Sequence, residues 1–382
     1  MIYLDNAATS YPKPESVWTE MERCMRLYGG NPGRGSHRLA MRAAEKIYEC
    51  REEIAALVGS KAPENVVFTM NTTMAINTVL KGLLREGDHV LISDLEHNAV
   101  YRPIFRLAEE GRITYSVFPS LVMKPHRSAQ DVCREIELRL LPNTRMLVCV
   151  HASNICSAAL PLREIGALCR RRGILFVVDA AQSAGHCEVS MEEMQISALC
   201  APGHKGLFGA QGSGFFVLER ELSAATLIEG GSGVHSLEAQ MPRESPERYE
   251  AGTLPTPAIA GLCEGVRTVR RISVSEIEKR ERELGDLLLE RLMALRGIRV
   301  IAPHLAGGVT LFYAPKISAD ALGAELDRRE ICVRTGYHCA ALAHQTLGTP
   351  AGGALRASVG YYNTRAELDK LYLALREILF SV

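Results

Sequence analysis

The sequence lacks the features that mark several large classes of protein. No apolar run approaches the roughly 18 residues that a membrane span needs, and the segment Met1-Ile2-Tyr3-Leu4-Asp5 does not resemble the start of a signal peptide. Lys plus Arg and Asp plus Glu each total 44, so the chain has no basic excess for binding nucleic acid or a membrane surface. It contains no Walker or Rossmann glycine motif either.

The 11 cysteines are scattered singly, without any C-x-x-C pair. This pattern argues against a disulfide framework and against a metal site, and it is typical of reduced thiols in the cytosol. We therefore expect a cytoplasmic protein with no metal, no nucleic acid and no membrane among its partners.

What is present is an ordinary globular composition, 47% hydrophobic and 23% charged over 382 residues, which is enough for a large domain and a smaller one. Short apolar runs alternate with helical patterns in the first two-thirds of the chain, which favours an α/β fold with a mainly parallel seven-stranded sheet. The predicted strands cover 66–68, 90–92, 113–118, 146–150, 175–178, 196–199 and 215–218. Ligands bind outside the carboxyl ends of such strands.

After about Pro257 the pattern indicates a smaller α+β domain. We predict helices over 275–296, 319–329 and 365–379, and strands over 309–313, 331–333 and 355–359. The expected division is 15–257 for the large domain and 1–14 together with 258–382 for the small one. The segment 238–256, rich in Pro, Glu and Arg, is expected to be a surface excursion between them.

Asp179 and Lys205 form the strongest pair of candidate site residues. Asp179 closes the most apolar predicted strand, where an unpaired carboxylate would be costly to bury. Lys205 lies in a glycine-rich turn, where burial can lower the pKa of a lysine and make it a nucleophile. Taken singly, each has a simpler explanation as a helix cap or a solvated lysine. Together they favour pyridoxal phosphate (PLP), which needs a lysine and an acidic partner for its ring nitrogen.

Two further clusters follow predicted strands. Thr72 and Thr73 precede a helix, where hydroxyls and free N–H groups can bind an anion, although a plain N-cap is the simpler interpretation. His97 follows the second strand and could stack on a cofactor or carry a proton, although lone loop histidines are usually structural.

The last cluster lies in the small domain. Cys339 sits in a glycine-containing loop beside His338 and near Arg334, an electropositive and accessible setting that favours a thiolate. The other ten cysteines are expected to be inert packing residues. Arg356, on a predicted strand, suits a bidentate contact with a substrate carboxylate, or alternatively a surface salt bridge of little energetic value.

Several motifs occur in the order and spacing of one family. They are Leu4-Asp5-Asn6-Ala7-Ala8-Thr9, Glu96-His97-Asn98, Val178-Asp179-Ala180-Ala181-Gln182, Gly203-His204-Lys205, Glu250-Ala251-Gly252-Thr253 and Arg334-Thr335-Gly336-Tyr337-His338-Cys339-Ala340. From residue 4 to about 363 the chain resembles the class V aminotransferases, and within them the second group of cysteine desulfurases, which is similar to selenocysteine lyase.

The resemblance implies a PLP enzyme of fold-type I, the aspartate aminotransferase-like fold, working as a homodimer. It implies that Lys205 binds PLP and removes the substrate α-proton, that Asp179 pairs with the ring nitrogen and that Cys339 accepts sulfur from L-cysteine as a persulfide, leaving L-alanine. It also implies that His97 stacks on the PLP ring, that Gln182 contacts the ring hydroxyl and that Asn154 lies beside the ring and the substrate. The implied phosphate-binding residues are Thr72, Thr73, His204 and the partner subunit's Thr253. Arg356 is implied to contact the substrate carboxylate.

The sequence departs from the family pattern at two places. Pro202 stands where a phosphate-binding serine is common, and Asn154-Ile155-Cys156-Ser157-Ala158 lacks the Gly-Thr that often follows the asparagine. These departures leave the rate and the substrate preference open, and the alternatives within the family are a selenocysteine lyase or another PLP-dependent C–S lyase. A sulfur-acceptor protein and a role in iron–sulfur cluster assembly are further implications. A PLP-binding protein without catalysis and a cysteine-based metal or redox protein are the remaining alternatives.

Overall fold

The computed structural model describes residues 1–33, 35–305 and 307–380. Its helices are α1 (Glu15–Leu27), α2 (Arg38–Leu57), α3 (Thr72–Leu83), α4 (Asn98–Glu109), α5 (Ala129–Glu137), α6 (Leu162–Arg172), α7 (Thr256–Ile272), α8 (Val274–Met293), α9 (Ala319–Asp327), α10 (Ala341–Thr346) and α11 (Arg365–Phe380). Its strands are β1 (Ile2–Tyr3), β2 (Val66–Thr69), β3 (Asp88–Ser93), β4 (Ile113–Phe118), β5 (Thr144–Val150), β6 (Leu175–Asp179), β7 (Ala198–Pro202), β8 (Gly214–Leu218), β9 (Arg299–Ile301), β10 (Val309–Tyr313), β11 (Ile331–Cys332), β12 (Arg334–Gly336) and β13 (Ala354–Ser358).

Seven strands form one large sheet in the order β2-β8-β7-β6-β5-β3-β4. Only β8 runs antiparallel to its neighbours among these strands, which confirms the predicted α/β fold with a mainly parallel seven-stranded sheet. The strand predicted over 196–199 lies at 198–202 instead. Ser197, just before the strand, contacts β6 through both its hydroxyl, which accepts from the Phe176 amide (3.1 Å), and its own amide, which donates to the Phe176 carbonyl (2.8 Å).

Both faces of the large sheet are buried, because alternate strand residues point to opposite sides. Phe176 and Val178 pack on one face under α2, α5, α6 and α7, whereas Val177 packs on the other face under α3 and α4. A central strand covered on both sides reads as a continuous apolar run, which explains why the sequence pattern located β6 so closely.

The small sheet has the antiparallel order β12-β13-β10-β9 and is covered by α8, α9 and α11. Ile2 of β1 pairs in parallel with Ile331 of β11, and Leu4 joins the core of this sheet, so the N-terminal residues pack with the C-terminal part of the chain. Ile259 of α7 packs in the core of the large sheet. The division of the chain at residue 257 stays a prediction.

Residues 219–255, all of them described, contain neither a helix nor a strand, and they include all of the segment predicted to be a surface excursion except its last residue, Thr256, which begins α7. Each helix in the described part of the chain is too short or too polar to cross a lipid bilayer.

Candidate active site

One cavity of about 110 Å³ lies at the carboxyl ends of the central strands, and it brings together most of the predicted site residues. These are Thr72, Thr73, His97, Asn154, Asp179, Gln182, His204 and Lys205, with Pro202 also in the lining. They follow β2, β3, β5, β6 and β7, so the position of the cavity agrees with the rule for open parallel sheets.

Asp179 and Lys205 are the two ionisable groups deepest in this cavity. Asp179 is 2% exposed, and its Oδ1 accepts a hydrogen bond from the Ala181 amide (2.9 Å). Burial raises the pKa of Asp179, and both this amide and the charge of Lys205 oppose that effect. Burial lowers the pKa of Lys205 to about 8, with Asp179 acting in the opposite direction. A lysine amine with a lowered pKa can act as a nucleophile and as a base, and Asp179 suits a buried cationic partner.

The start of α3 forms one end of the cavity, and its N-cap is Asn71 instead of Thr72 or Thr73. The Asn71 Oδ1 accepts a hydrogen bond from the Met74 amide (2.9 Å). The Thr72 hydroxyl is therefore not used as a cap, and it is buried without a partner among the described residues. Since the helix dipole and free amides favour an anion at this point, the hydroxyl is available to a phosphate group.

Lys13 holds the loop that carries Lys205, a contribution that the sequence analysis missed. Its Nζ donates to the His204 carbonyl (2.6 Å) and to the Ser10 hydroxyl (2.8 Å), while that hydroxyl donates to the Lys205 carbonyl (3.0 Å). Burial lowers the pKa of Lys13 to about 8. Because the partners are backbone carbonyls far away in the chain, no local sequence pattern reveals this contact.

His97 lines the cavity and also begins α4, where its Nδ1 accepts a hydrogen bond from the Ala99 amide (3.0 Å). Burial, reinforced by the charge of Lys205, lowers the pKa of His97 to about 4, so the ring is neutral near pH 7. The neighbouring Glu96 is fully buried, and its carboxyl accepts a hydrogen bond from the Val150 amide (2.8 Å). Burial raises the pKa of Glu96 to about 8.

Arg356 is 2% exposed, so the alternative of a surface salt bridge is wrong. Its Nη1 donates to the Asn154 carbonyl (2.9 Å) and its Nη2 to Asp5 Oδ1 (2.7 Å), whereas its Nε is buried without a partner among the described residues. Asp5 also accepts hydrogen bonds from Arg334 (2.9 Å to Nη2). Asp5 belongs to the first family motif, Leu4-Asp5-Asn6-Ala7-Ala8-Thr9, but no role was predicted for it.

Cys339 lies on the loop between β12 and α10, next to the cavity. Of the 11 cysteines, all within the described residues, Cys339 alone is classed as exposed, and the chain forms no disulfide there. The Cys339 carbonyl accepts a hydrogen bond from the Asn98 amide (2.7 Å), directly after His97, and the Asn154 side chain donates to the His338 carbonyl (2.8 Å). These bonds bring the cysteine loop of the small domain to the large-domain cavity.

Thr253 lies outside this cavity. It is exposed in a separate hollow of about 980 Å³, where its hydroxyl accepts a hydrogen bond from Asn31 (3.4 Å). The resemblance assigns Thr253 to the site of a partner subunit, so a position away from the chain's own cavity agrees with that expectation.

The cavity residues fit pyridoxal phosphate. Within the described residues, four buried polar atoms around the site have no hydrogen-bond partner: Thr72 Oγ1, Asn154 Oδ1, His204 Nδ1 and Arg356 Nε. Such unpaired groups are rare in a folded protein unless a ligand uses them. The described residues contain no cluster of three or more His, Cys, Asp or Glu side chains that could hold a metal ion.

Comparison with known proteins agrees with this geometry. The family model described as aminotransferase class-V matches residues 2–371. The chain is 33% identical over 386 residues to a probable cysteine desulfurase of Methanothermobacter thermautotrophicus, covering 99% of this chain and 94% of that protein. It is 31% identical to a probable cysteine desulfurase of Pyrococcus abyssi, covering 100% and 95% of the two chains.

Solved structures give the same result. The apo structure of a cysteine desulfurase from Thermococcus onnurineus superimposes with a TM-score of 0.88 at 30% identity, covering 100% of this chain and 95% of that one. A cysteine desulfurase from Escherichia coli, solved in an S-sulfonic acid form, has a TM-score of 0.88 at 25% identity with the same coverage. The architecture is therefore that of the fold-type I enzymes. Within that class, the chain belongs to the class V aminotransferase family.

Proposed function

We propose that this chain is a PLP-dependent cysteine desulfurase, which converts L-cysteine to L-alanine and takes the sulfur onto Cys339 as a persulfide. The observation that carries the proposal is the Lys205–Asp179 pair in one cavity that Asn154 also lines. Hydrogen bonds of Asn154 connect this cavity to the loop of the exposed Cys339 and to the buried Arg356, whose Nε has no partner among the described residues. The names of the relatives support the same activity.

In the proposed holoenzyme Lys205 binds PLP covalently and Asp179 pairs with the ring nitrogen. Gln182 contacts the ring hydroxyl, His97 stacks on the ring and Asn154 lies beside it. Thr72, Thr73 and His204 hold the phosphate. Bound PLP supplies an electron sink that stabilises negative charge at the substrate α-carbon. Because Asp179 is fully buried, an ion pair with a cationic ring would satisfy it better than the single amide that it contacts now.

Substrate binding is assigned to Arg356. Nη1 and Nη2 each donate one N–H, to Asn154 and to Asp5, and each keeps a second N–H, while Nε has no partner among the described residues, so the guanidinium retains donors for the substrate carboxylate. Once the substrate amine has displaced Lys205 from the cofactor, the freed lysine would take the α-proton as a neutral amine. Burial, which lowers the pKa of the free Lys205 to about 8, favours that neutral form. Since the His97 ring is neutral, it adds no positive charge to the cavity beside Lys205.

Cys339 carries out the sulfur transfer. As a thiolate it attacks the substrate sulfur, so that an S–S bond forms while the substrate C–S bond breaks. The electrons of the broken bond stay with the substrate carbon, which takes up protons to give alanine. Cysteine plus thiol give alanine plus persulfide, so the exchange needs no external oxidant or reductant.

We also propose a cytoplasmic homodimer in which the partner subunit's Thr253 completes the phosphate site. Several large apolar side chains of α1 and α2 are exposed in the single chain, as is common for surfaces buried between subunits. They are Trp18, Met25, Leu27, Leu39, Met41 and Tyr48. A protein that accepts the sulfur, for iron–sulfur cluster assembly or another pathway, is the expected partner.

The experiment is to measure alanine release from L-cysteine by the purified yellow protein, with a reductant present to clear the persulfide. Cys339→Ala is expected to abolish persulfide formation and to keep the PLP absorbance, whereas Cys133→Ala, at a half-buried position of α5, should behave as the parent. Release from L-selenocysteine alone would identify a selenocysteine lyase. Bound PLP without alanine from either substrate would refute the proposal.

A further inference from the structure

The backbone of the Cys339 loop is held in a conformation that its residues do not favour. His338 and Cys339 have φ values of 49° and 56°, two consecutive non-glycine residues in the left-handed region. This region costs about 1–2 kcal/mol per residue for side chains other than glycine. Such a conformation persists only where surrounding contacts impose it, so other side chains must hold the loop in place.

Two stacked histidines provide these contacts. The rings of His338 and His344 lie 5.3 Å apart at 18°, and both side chains are buried. His338 Nδ1 is 3.2 Å from His344 Nε2, His338 Nε2 is 3.3 Å from the Arg334 carbonyl, and His344 Nδ1 is 2.8 Å from the Thr349 hydroxyl. These contacts form one continuous row from Thr349 to Arg334.

One arrangement of protons satisfies the whole row when both rings are neutral. The Arg334 carbonyl can only accept, so His338 Nε2 carries its proton and Nδ1 becomes an acceptor. His344 Nε2 must then donate to His338, which leaves His344 Nδ1 to accept from the Thr349 hydroxyl. Burial, reinforced by Arg356, lowers the pKa of His338 to about 3, and burial lowers the pKa of His344 against the opposing effect of the Tyr337 carbonyl. Both rings are therefore neutral near pH 7.

We infer that Thr349 and His344 are positioning residues that act through His338 to hold Cys339 at the cavity. Thr349 selects the His344 tautomer, His344 orients the His338 ring, and the His338 ring fixes the backbone just before the sulfur-accepting cysteine. This inference depends on the proposed function for its catalytic meaning. The hydrogen-bonded row itself stands independently of the reaction.

Thr349→Val keeps the shape of the side chain and removes the hydroxyl. His344 is then free to take the other tautomer, in which two acceptors face each other across the histidine pair. We expect kcat for alanine formation to fall about 2- to 10-fold, the factor that one net hydrogen bond corresponds to, with KM within about twofold because Arg356 is not contacted. Thr349→Ser should restore the parent rate.

The matched control is Thr346→Val in α10, because this hydroxyl donates to Asp94 (3.2 Å) and takes no part in the row. His344→Phe keeps a ring and removes the donor, and a misplaced nucleophile should lower kcat about 10- to 100-fold. His344→Gln, which can still donate to His338, should recover part of it. Equal rates in Thr349→Val and Thr346→Val, or no difference between His344→Phe and His344→Gln, would overturn the inference.

A second readout separates this inference from the proposed function. Alkylation of Cys339 by iodoacetamide, followed on its tryptic peptide by mass spectrometry, reports the mobility of the loop whether or not cysteine is the substrate. We expect Thr349→Val and His344→Phe to change this rate relative to Thr346→Val. If the parent makes no alanine and the alkylation rates still differ, the proposed function is wrong, but the inference that Thr349 and His344 position Cys339 is supported. Unchanged alkylation in both variants would refute that inference.

Discussion

Removing the negative charge of Asp5 tests how Arg356, the residue proposed to bind the substrate, is held. Asp5 Oδ1 lies 2.7 Å from Arg356 Nη2, and Asp5 Oδ2 lies 2.9 Å from Arg334 Nη2. The Arg356 side chain is 3% exposed, so water screens this pair little, whereas the Arg334 side chain is 48% exposed and contributes much less. Leaving a buried charge without its partner costs about 3–5 kcal/mol. We expect Asp5→Asn to cost about 3 kcal/mol, because the amide oxygen can still accept from Arg356.

Thermal unfolding of the holoenzyme measures this effect. With an unfolding entropy of about 2.1 cal/mol/K per residue over 382 residues, a loss of about 3 kcal/mol lowers Tm by roughly 4 °C. The control is Asp320→Asn, whose carboxylate accepts one hydrogen bond from Thr335 at an exposed site (2.8 Å) and should shift Tm by less than about 1 °C. L-alanine should raise Tm more in Asp5→Asn than in the parent, since its carboxylate supplies the missing anion. A Tm within 1 °C of the parent would show that Asp5 does not compensate the Arg356 charge.

Two further outcomes follow from the packing and burial around the cavity. In Gly206→Ala the new Cβ would lie 2.4 Å from the Ala184 carbonyl oxygen, so about 1–3 kcal/mol of stability and part of the bound PLP absorbance should be lost. The control is Gly231→Ala, where the new Cβ would have nothing within 4 Å. Equal losses in the two variants would contradict the argument. Burial raises the pKa of Glu96 from 4.5 to about 8, so the folded protein binds a proton at this carboxyl more tightly than the unfolded chain does. As pH rises from 4.5 to 8, the carboxyl therefore costs the protein stability. Urea unfolding should show Glu96→Gln gaining stability over the parent between pH 4.5 and 8 and levelling off above; a constant difference would mean that Glu96 does not titrate there.

The strands of the large sheet were predictable because each is a short apolar run buried on both faces. The limits of 113–118 were predicted to the residue, and 309–313 in the small sheet equally so. The strand β9 was not predicted, since three residues beginning with Arg299 carry too little pattern. Its place at the edge of the small sheet comes from its pairing with β10, which no local sequence feature encodes.

The site was predictable where motifs place functional groups at strand ends, and not where distant segments meet. The cavity gathers Asp179 and Lys205 as expected from their positions after β6 and β7. Lys13 acts through a contact with His204, which is distant in the chain, so it is not distinguishable in the sequence from an ordinary surface residue. Thr349 contacts the nearby His344, but no motif marks that pair. The cap of α3 by Asn71 was missed because three consecutive residues could each cap that helix.

Asn154 connects three parts of the proposed site: the cofactor cavity, the substrate-binding arginine and the loop of the sulfur-accepting cysteine. Its side-chain nitrogen donates to the His338 carbonyl (2.8 Å) and its backbone carbonyl accepts from Arg356 (2.9 Å), while its Oδ1 stays unpaired at the cavity. The side chain thus contacts the Cys339 loop, and the backbone contacts Arg356, the residue proposed to bind the substrate carboxylate. Asn154→Asp would place a second acceptor opposite the His338 carbonyl, so loss of the Cys339 position would come without loss of the Arg356 contact. The proposed cofactor cavity, the proposed substrate-binding Arg356 and the Cys339 loop are therefore all connected through Asn154.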